Sequence, residues 1–146
     1  LQGARLTDDA IADFGIPTTL VTDGMPGYLM SKGRINKFMT GADRVTMSGH
    51  VVNKIGTMQL ALSAHHFRIP YFAFSDAPDL EAPLPEDVII EERNPEDVLH
   101  CMGVRTATHK ATGYYPAFDI TPPEFVSAVI TPKGVFSPYD LGRYYR

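Results

Sequence analysis

The chain has 146 residues, 44% hydrophobic and 21% charged, enough for one compact core and too few for two. Its formal net charge of -4 supplies no long-range attraction to nucleic acid or to an anionic membrane surface, so neither is expected as a partner. A single cysteine, Cys101, makes no internal disulfide, and with only short apolar runs and no basic-then-apolar leader the expectation is a soluble chain in the cytosol.

LQGARLT opens without an initiator methionine and runs at once into a helical pattern, which reads as a piece of a longer protein. Thr7 is the expected N-cap of a short helix over residues 8–14, with acidic residues in its first turn and Gly15 as its stop. IPTTLVTD, residues 16–23, is β-branched and apolar and predicts a buried strand. GYLMSKG, residues 27–33, predicts a helix closed by Gly33, and INKFMTG, residues 35–41, a second strand with Asp43 just past its end. Apolar residues at helical spacing from Val51 through Ile55, Met58 and Leu62 predict the longest helix, over 51–67, and YFAFS, residues 71–75, a third strand. Residues 76–87 are a loop by composition. A short strand over 88–91, a short helix over 95–102, an irregular connection over 103–113 and a helix over 122–130, signalled by Thr121, two prolines and Glu124, complete the set. The tail from residue 137 is aromatic and basic. Strands alternating with helices predict an α/β fold, a Rossmann-like parallel sheet flanked by helices, in one domain over 1–146. Open sheets of this kind bind ligands at the strand C-termini, where Asp23, Asp43 and Ser75 are expected.

A carboxylate at such a sheet mouth is partly desolvated and suited to proton exchange, which makes Asp43 an acid/base candidate. The alternative is that it caps a turn or pairs with the adjacent Arg44. Asn53 and Lys54 fall in the predicted first turn of the long helix, where free amides and the dipole favour an anion; a merely solvated lysine is the other reading. Gly41, Gly49 and Gly56 allow close backbone approach, but GADRVTMSG matches neither a dinucleotide fingerprint nor a phosphate loop, and no nucleotide cofactor is expected. His65 and His66 fall in the last turn of the long helix, and five scattered histidines with one cysteine lack metal-ligand spacing, so no metal is expected. Cys101, next to His100 on a helix, would point about 100° away from it and reads as a buried structural thiol. The tyrosines and phenylalanines of the last third read as core, subunit interface or cover for an apolar ligand.

QGARLT, GIPTTLVTDGMPGYLM, GADRV, NKIGTMQLALSA, IEER and PAFDITPPEFVSAVITPKGV, taken together and in this order, resemble the second half of the methylthioribose-1-phosphate isomerases. The resemblance runs from Gln2 to about Val135 and is weaker over 76–113. That superfamily also holds ribose-1,5-bisphosphate isomerase and the regulatory subunits of the exchange factor for eukaryotic translation initiation factor 2. The resemblance implies interconversion of 5-methylthioribose 1-phosphate and 5-methylthioribulose 1-phosphate in methionine salvage, without metal or other cofactor. By motif, Asp43 would be the catalytic acid/base and Gln2, Asn53 and Lys54 would bind the sugar phosphate. The family's catalytic cysteine and phosphate-holding arginine belong to the N-terminal half, an expected partner segment of the same protein, and the family is usually homodimeric. Gly24 and Pro26 in DGMPGYLM, His50, the SDAPD run over 75–79 and Tyr115 depart from the family pattern and bear on the sugar's 5-substituent. An isomerase for another pentose 1-phosphate, or a non-catalytic scaffold, are the alternatives; the retained GADR and NK runs favour an enzyme.

Overall fold

The structure, a computed structural model, describes residues 2–146. In chain order the strands are β1 (Phe38–Gly41), β2 (Arg44–Val45), β3 (Val51–Lys54), β4 (Tyr71–Phe74), β5 (His100–Cys101), β6 (Val104–Arg105), β7 (Phe118–Thr121), β8 (Ala128–Thr131) and β9 (Gly134–Phe136). The α-helices are α1 (Asp8–Asp13), α2 (Pro26–Ser31) and α3 (Thr57–His66).

The central sheet has the order β1-β4-β8-β9. β1, β4 and β8 run parallel, with Phe38 level with Tyr71 and Phe72 level with Ala128, and β9 returns antiparallel to β8 through a hairpin. YFAF forms the middle strand because Tyr71 and Ala73, two apart, share one face and are fully buried. The Tyr71 ring stacks on Phe38 at 4.5 Å, and its hydroxyl meets Thr40 Oγ1 at 2.7 Å. Burial pushes this phenol up to about 12, so it is neutral at any pH near 7. A second, antiparallel sheet of order β2-β3-β7 sends Val45 and Val51 into the same core, where Ala61 of α3, Val126, Val129 and Leu141 close around Tyr71. The fold is therefore α/β as expected, with a parallel centre, but mixed with antiparallel ladders absent from the sequence reading.

The expected helix at 27–33 forms as α2 with Gly33 at φ 64°, and β1 and β4 form where the pattern placed them. Other expectations are overturned. The N-terminal helix starts before Thr7, with a wider π-type turn over Gly3–Thr7; Thr7 is itself helical and its side chain caps nothing. Residues 16–22 join no ladder, and Ile16 and Leu20 are 54% and 60% exposed. An apolar β-branched run becomes a strand only with a partner, and the open side of β1 receives none among the described residues.

The long helix begins at Thr57, not Val51: Val51 and Val52 take the extended backbone that suits β-branched residues, and Gly56 at φ 104° turns the chain into α3. The predicted stripe is thereby left outward, with Ile55, Met58 and Leu62 all exposed while Thr57, Ala61 and Ala64 face the core. Over 122–130 the proline and acid signals produce a single 3-10 turn, Pro123–Phe125, before AVIT is drawn into the central sheet as β8. Residues 88–91 form no strand, and 95–102 divides into a 3-10 turn (Pro95–Leu99) and β5, whose Cys101 is exposed, not buried. Among the described residues no helix is long and apolar enough to cross a membrane.

Gly49 sits at φ 85° in the turn between β2 and β3, and a Cβ there would collide with the Pro138 carbonyl oxygen. Gly49→Ala is expected to destabilise the fold by roughly 2 kcal/mol or more, whereas Gly24→Ala, which meets open space, should change stability by about 0.5 kcal/mol or less. Urea midpoints of the two variants check the contrast.

Candidate active site

The strands β2, β3 and β7 place most of the chemistry. Asp43 donates its backbone N–H to the Val52 carbonyl at 3.0 Å, and Arg44 lies across from Val52, so one further step of the same antiparallel register sets Asp43 opposite Asn53. Asn53 in turn lies across from Asp119, and Lys54 from Phe118. Alternation along a strand sends adjacent side chains to opposite faces. Asn53 accordingly turns to Thr57, donating from Nδ2 to Oγ1 at 3.0 Å, while Lys54 sets its ammonium 4.2 Å from the centre of the Phe118 ring. Neither residue lies in a helix. The dipole argument for Lys54 therefore fails, and its orientation comes from the strand.

Asp119 fixes the junction between β3 and α3. Its carboxylate accepts from Gly56 N–H at 2.7 Å and from Met58 N–H at 3.1 Å, satisfying donors that the start of α3 leaves free. Desolvation at this half-buried site raises its pKa above the ordinary carboxylate value, against the two backbone hydrogen bonds that pull it down.

Lys54 opens onto a cleft of about 790 Å³. Gln2, Asp23, Lys54, Arg93 and Tyr115 supply its polar lining, and Leu20, Val21, Met25 and Ile55 its apolar wall. Of the expected site residues, Gln2 and Lys54 are brought together here. Asp23 also lies here rather than at a strand end. Arg93 was not anticipated: its guanidinium pairs with Glu91 at 2.9 Å and lies 6.0 Å from the Tyr115 ring and 5.9 Å from that of Phe118. The hydrogen bond from Arg93 holds the Glu91 carboxyl below its usual range. Two cations over two aromatic rings make an anion-recognising surface suited to a phosphate with an uncharged body beside it. The advance signs of Arg93 were the place of IEER among the family-like runs and its Glu-x-Arg alternation, which puts Glu91 and Arg93 on one side of an extended segment.

Asp43 does not line that cleft and is exposed. It directly follows Gly41 and Ala42, which wall a second cleft of about 400 Å³ at the C-terminal ends of β1, β4 and β8, together with Phe74 and Ser75. Asp43 thus stands between two clefts, one step along the chain from the smaller and one ladder step, through Asn53, from the strand that feeds Lys54 into the larger. The alternative pairing with Arg44 is not formed, because that guanidinium engages Asp79 at 2.9 Å. Ser75 lies at the sheet edge as expected and donates to the Ala77 carbonyl at 3.0 Å. His65 and His66 do fall in the last turn of α3, at the opposite edge. Among the described residues no three His, Cys, Asp or Glu side chains converge as a metal site.

Residues 1–138 match the model of the Initiation factor 2 subunit family. The chain is 44% identical over 140 residues to a methylthioribose-1-phosphate isomerase of Thermus thermophilus, covering 94% of this chain and 42% of that protein. It is 45% identical over 145 residues to the protein of the same name from Anaeromyxobacter sp. strain K, covering 97% and 43%. Among solved structures it superposes on 5-methylthioribose 1-phosphate isomerase from Pyrococcus horikoshii OT3 with TM-score 0.91 and 37% identity over 99% of this chain and 41% of that one. It superposes on translation initiation factor eIF-2B, subunit delta, from A. fulgidus with TM-score 0.86 and 42% identity over 94% and 40%. The chain spans about two fifths of the length of the curated relatives it matches.

The raised pKa of Asp119 has a defined signature. From the ordinary value of 3.8 up to its folded value, the native state holds more of this proton than the unfolded state, so the contribution of Asp119 to stability declines as pH rises through that window. Asp119→Asn is expected to remove that component: the stability difference between parent and variant, from urea midpoints at closely spaced pH values, should change across the window and level off above it.

Proposed function

The chain belongs to the Initiation factor 2 subunit family, and from that premise we propose that residues 1–146 are the Rossmann-like C-terminal catalytic domain of a longer aldose-ketose isomerase. Its reaction converts 5-methylthioribose 1-phosphate to 5-methylthioribulose 1-phosphate in methionine salvage. The observation that carries this reading is the meeting of Gln2, Lys54 and Arg93 in one cleft of about 790 Å³, in a chain 44% identical to an isomerase of that name.

In this reading Lys54 and Arg93 take the anionic phosphate and Gln2 hydrogen-bonds the sugar, while Asn53, outside the cleft lining on the strand face opposite Lys54, meets the substrate from the side on which Asp43 handles the proton. A phosphate on the anomeric oxygen blocks spontaneous ring opening. The ring oxygen must therefore receive a proton as its bond to C1 breaks, after which hydrogen moves from C2 to C1 and the C2 hydroxyl gives up its proton to become the ketone. A single carboxylic acid that donates first and accepts last balances the sequence. Closing Asp43 onto substrate falls to the remaining polypeptide, the N-terminal half that the family pattern supplies, and the outward Met58, Leu62, Ile16 and Leu20 are surfaces suited to it. A homodimer in the cytosol completes the proposal.

A second reading, a regulatory subunit without catalysis, draws on the 42% identity to the A. fulgidus chain described as an eIF-2B subunit. The discriminating experiment is an isomerase assay of the complete protein against 5-methylthioribose 1-phosphate and other 5-substituted ribose 1-phosphates. Turnover supports the enzyme, and its absence with every substrate supports the scaffold. Asp43→Asn should lower kcat by roughly 10²- to 10⁴-fold with the circular dichroism spectrum unchanged. Lys54→Ala and Arg93→Ala should each raise KM by about tenfold or more, the loss of one charged hydrogen-bond donor to phosphate; unchanged KM in both would remove them from the anion site.

A further inference from the structure

Resting on the assignment of Asp43 as the acid/base, we propose that Asp79 is a positioning residue for the reaction: by engaging Arg44 it keeps a guanidinium off the neighbouring catalytic carboxylate. Arg44 follows Asp43 directly in the chain, and its long side chain can fold back on Asp43 or reach forward to Asp79. The structure has it at Asp79, Nε to Oδ2 at 2.9 Å. A carboxylate paired with arginine is held ionised and cannot supply a proton. The direction of this pairing therefore decides whether Asp43 is available as an acid.

Asp79 is built to be the fixed member of the pair. Its backbone N–H donates to the Val45 carbonyl at 2.8 Å, and it forms a parallel bridge with Thr46 beside β2. Its Oδ1 accepts from Glu81 N–H at 2.8 Å, which leaves Oδ2 for Arg44. Before it, Pro78 is fully buried and its carbonyl accepts from the Tyr145 hydroxyl, while the Tyr144 hydroxyl donates to the Asp76 carbonyl at 3.1 Å. The Asp79 side chain is 22% exposed against 44% for Arg44, so the carboxylate is the more enclosed partner of the pair. An ion pair this exposed adds little to stability, and its effect is expected on catalysis.

The test measures kcat and KM of the complete protein carrying Asp43→Asn, Asp79→Asn, Arg44→Gln, and the last two combined. Asp79→Asn keeps the turn acceptor for Glu81 but loses the charge that holds Arg44. It should lower kcat about tenfold, with KM within about twofold. Adding Arg44→Gln should return kcat to within about threefold of the parent, because the misplaced cation is then gone. A purely structural ion pair gives no such rescue. Wild-type kcat in Asp79→Asn, or a double variant no better than Asp79→Asn alone, would overturn the inference. Should Asp79→Asn fail to fold, Asp79→Ser, which also retains an acceptor, carries the same comparison. Full activity in Asp43→Asn is the separate result that would remove the catalytic assignment itself.

Discussion

The site depends on one carboxylate that does no proposed chemistry. Asp119 accepts the amide protons of Gly56 and Met58, and in doing so it sets where β3 stops and α3 starts. Without an acceptor there, the first turn of α3 would expose unpaired donors, and the left-handed residue at Gly56 would have nothing to hold its turn. Lys54 is two residues before that turn, on the strand whose end the contact fixes, and the β3–β7 ladder gives it its direction into the cleft. Half-burial displaces the pKa of this carboxylate upward, against the two backbone hydrogen bonds it accepts.

What was legible in the sequence was what local chemistry decides. Gly15 and Gly33 end their helices in the left-handed conformation, as glycines that close helices do. β4 was readable because four apolar residues, two of them phenylalanines, lie between Pro70 and a polar loop. Asp43 was correctly placed past the end of β1. What was not legible was decided by partners far away in the chain. VVNK reads as the start of a helix because Val51, Ile55, Met58 and Leu62 keep the helical interval, yet β7, more than sixty residues later, pairs with it in register. AVIT follows the helix-entry signals at Thr121–Glu124 and is captured by β4 and β9. Run 16–23 has strand chemistry without a strand beside it. Each error took a local signal where a long-range ladder was the stronger term.

The same contrast separates the two halves of the candidate site. Asp43 and the Asn-Lys pair could be named from short motifs, since each carries its chemistry in one or two residues. Arg93 closes the IEER run and Tyr115 stands where the chain departs from the family pattern, and only folding brings them beside Lys54. The cleft sets two cations beside aromatic rings and an apolar wall, and Asp43 lies outside its lining, across the β2–β3 ladder from Asn53. Of the departures from the family pattern, Tyr115 lines this cleft, and Gly24 and Pro26 flank Met25, which lines it too. The likeness to both isomerases and an initiation-factor subunit shows that chains of different names share these sheets.

Three stretches far apart in sequence meet at one surface: the turn containing Gly49, residues 76–79, and the segment from Pro138 to Tyr145. Pro138 packs on Gly49, Leu141 is buried in the core, and Tyr144 and Tyr145 bond the carbonyls of Asp76 and Pro78. Because the C-terminal segment touches both of the other stretches, none can detach alone without stripping contacts from another. Amide exchange across this surface is consequently governed by a single cooperative opening of noncontiguous backbone, not by independent fraying of three surface loops.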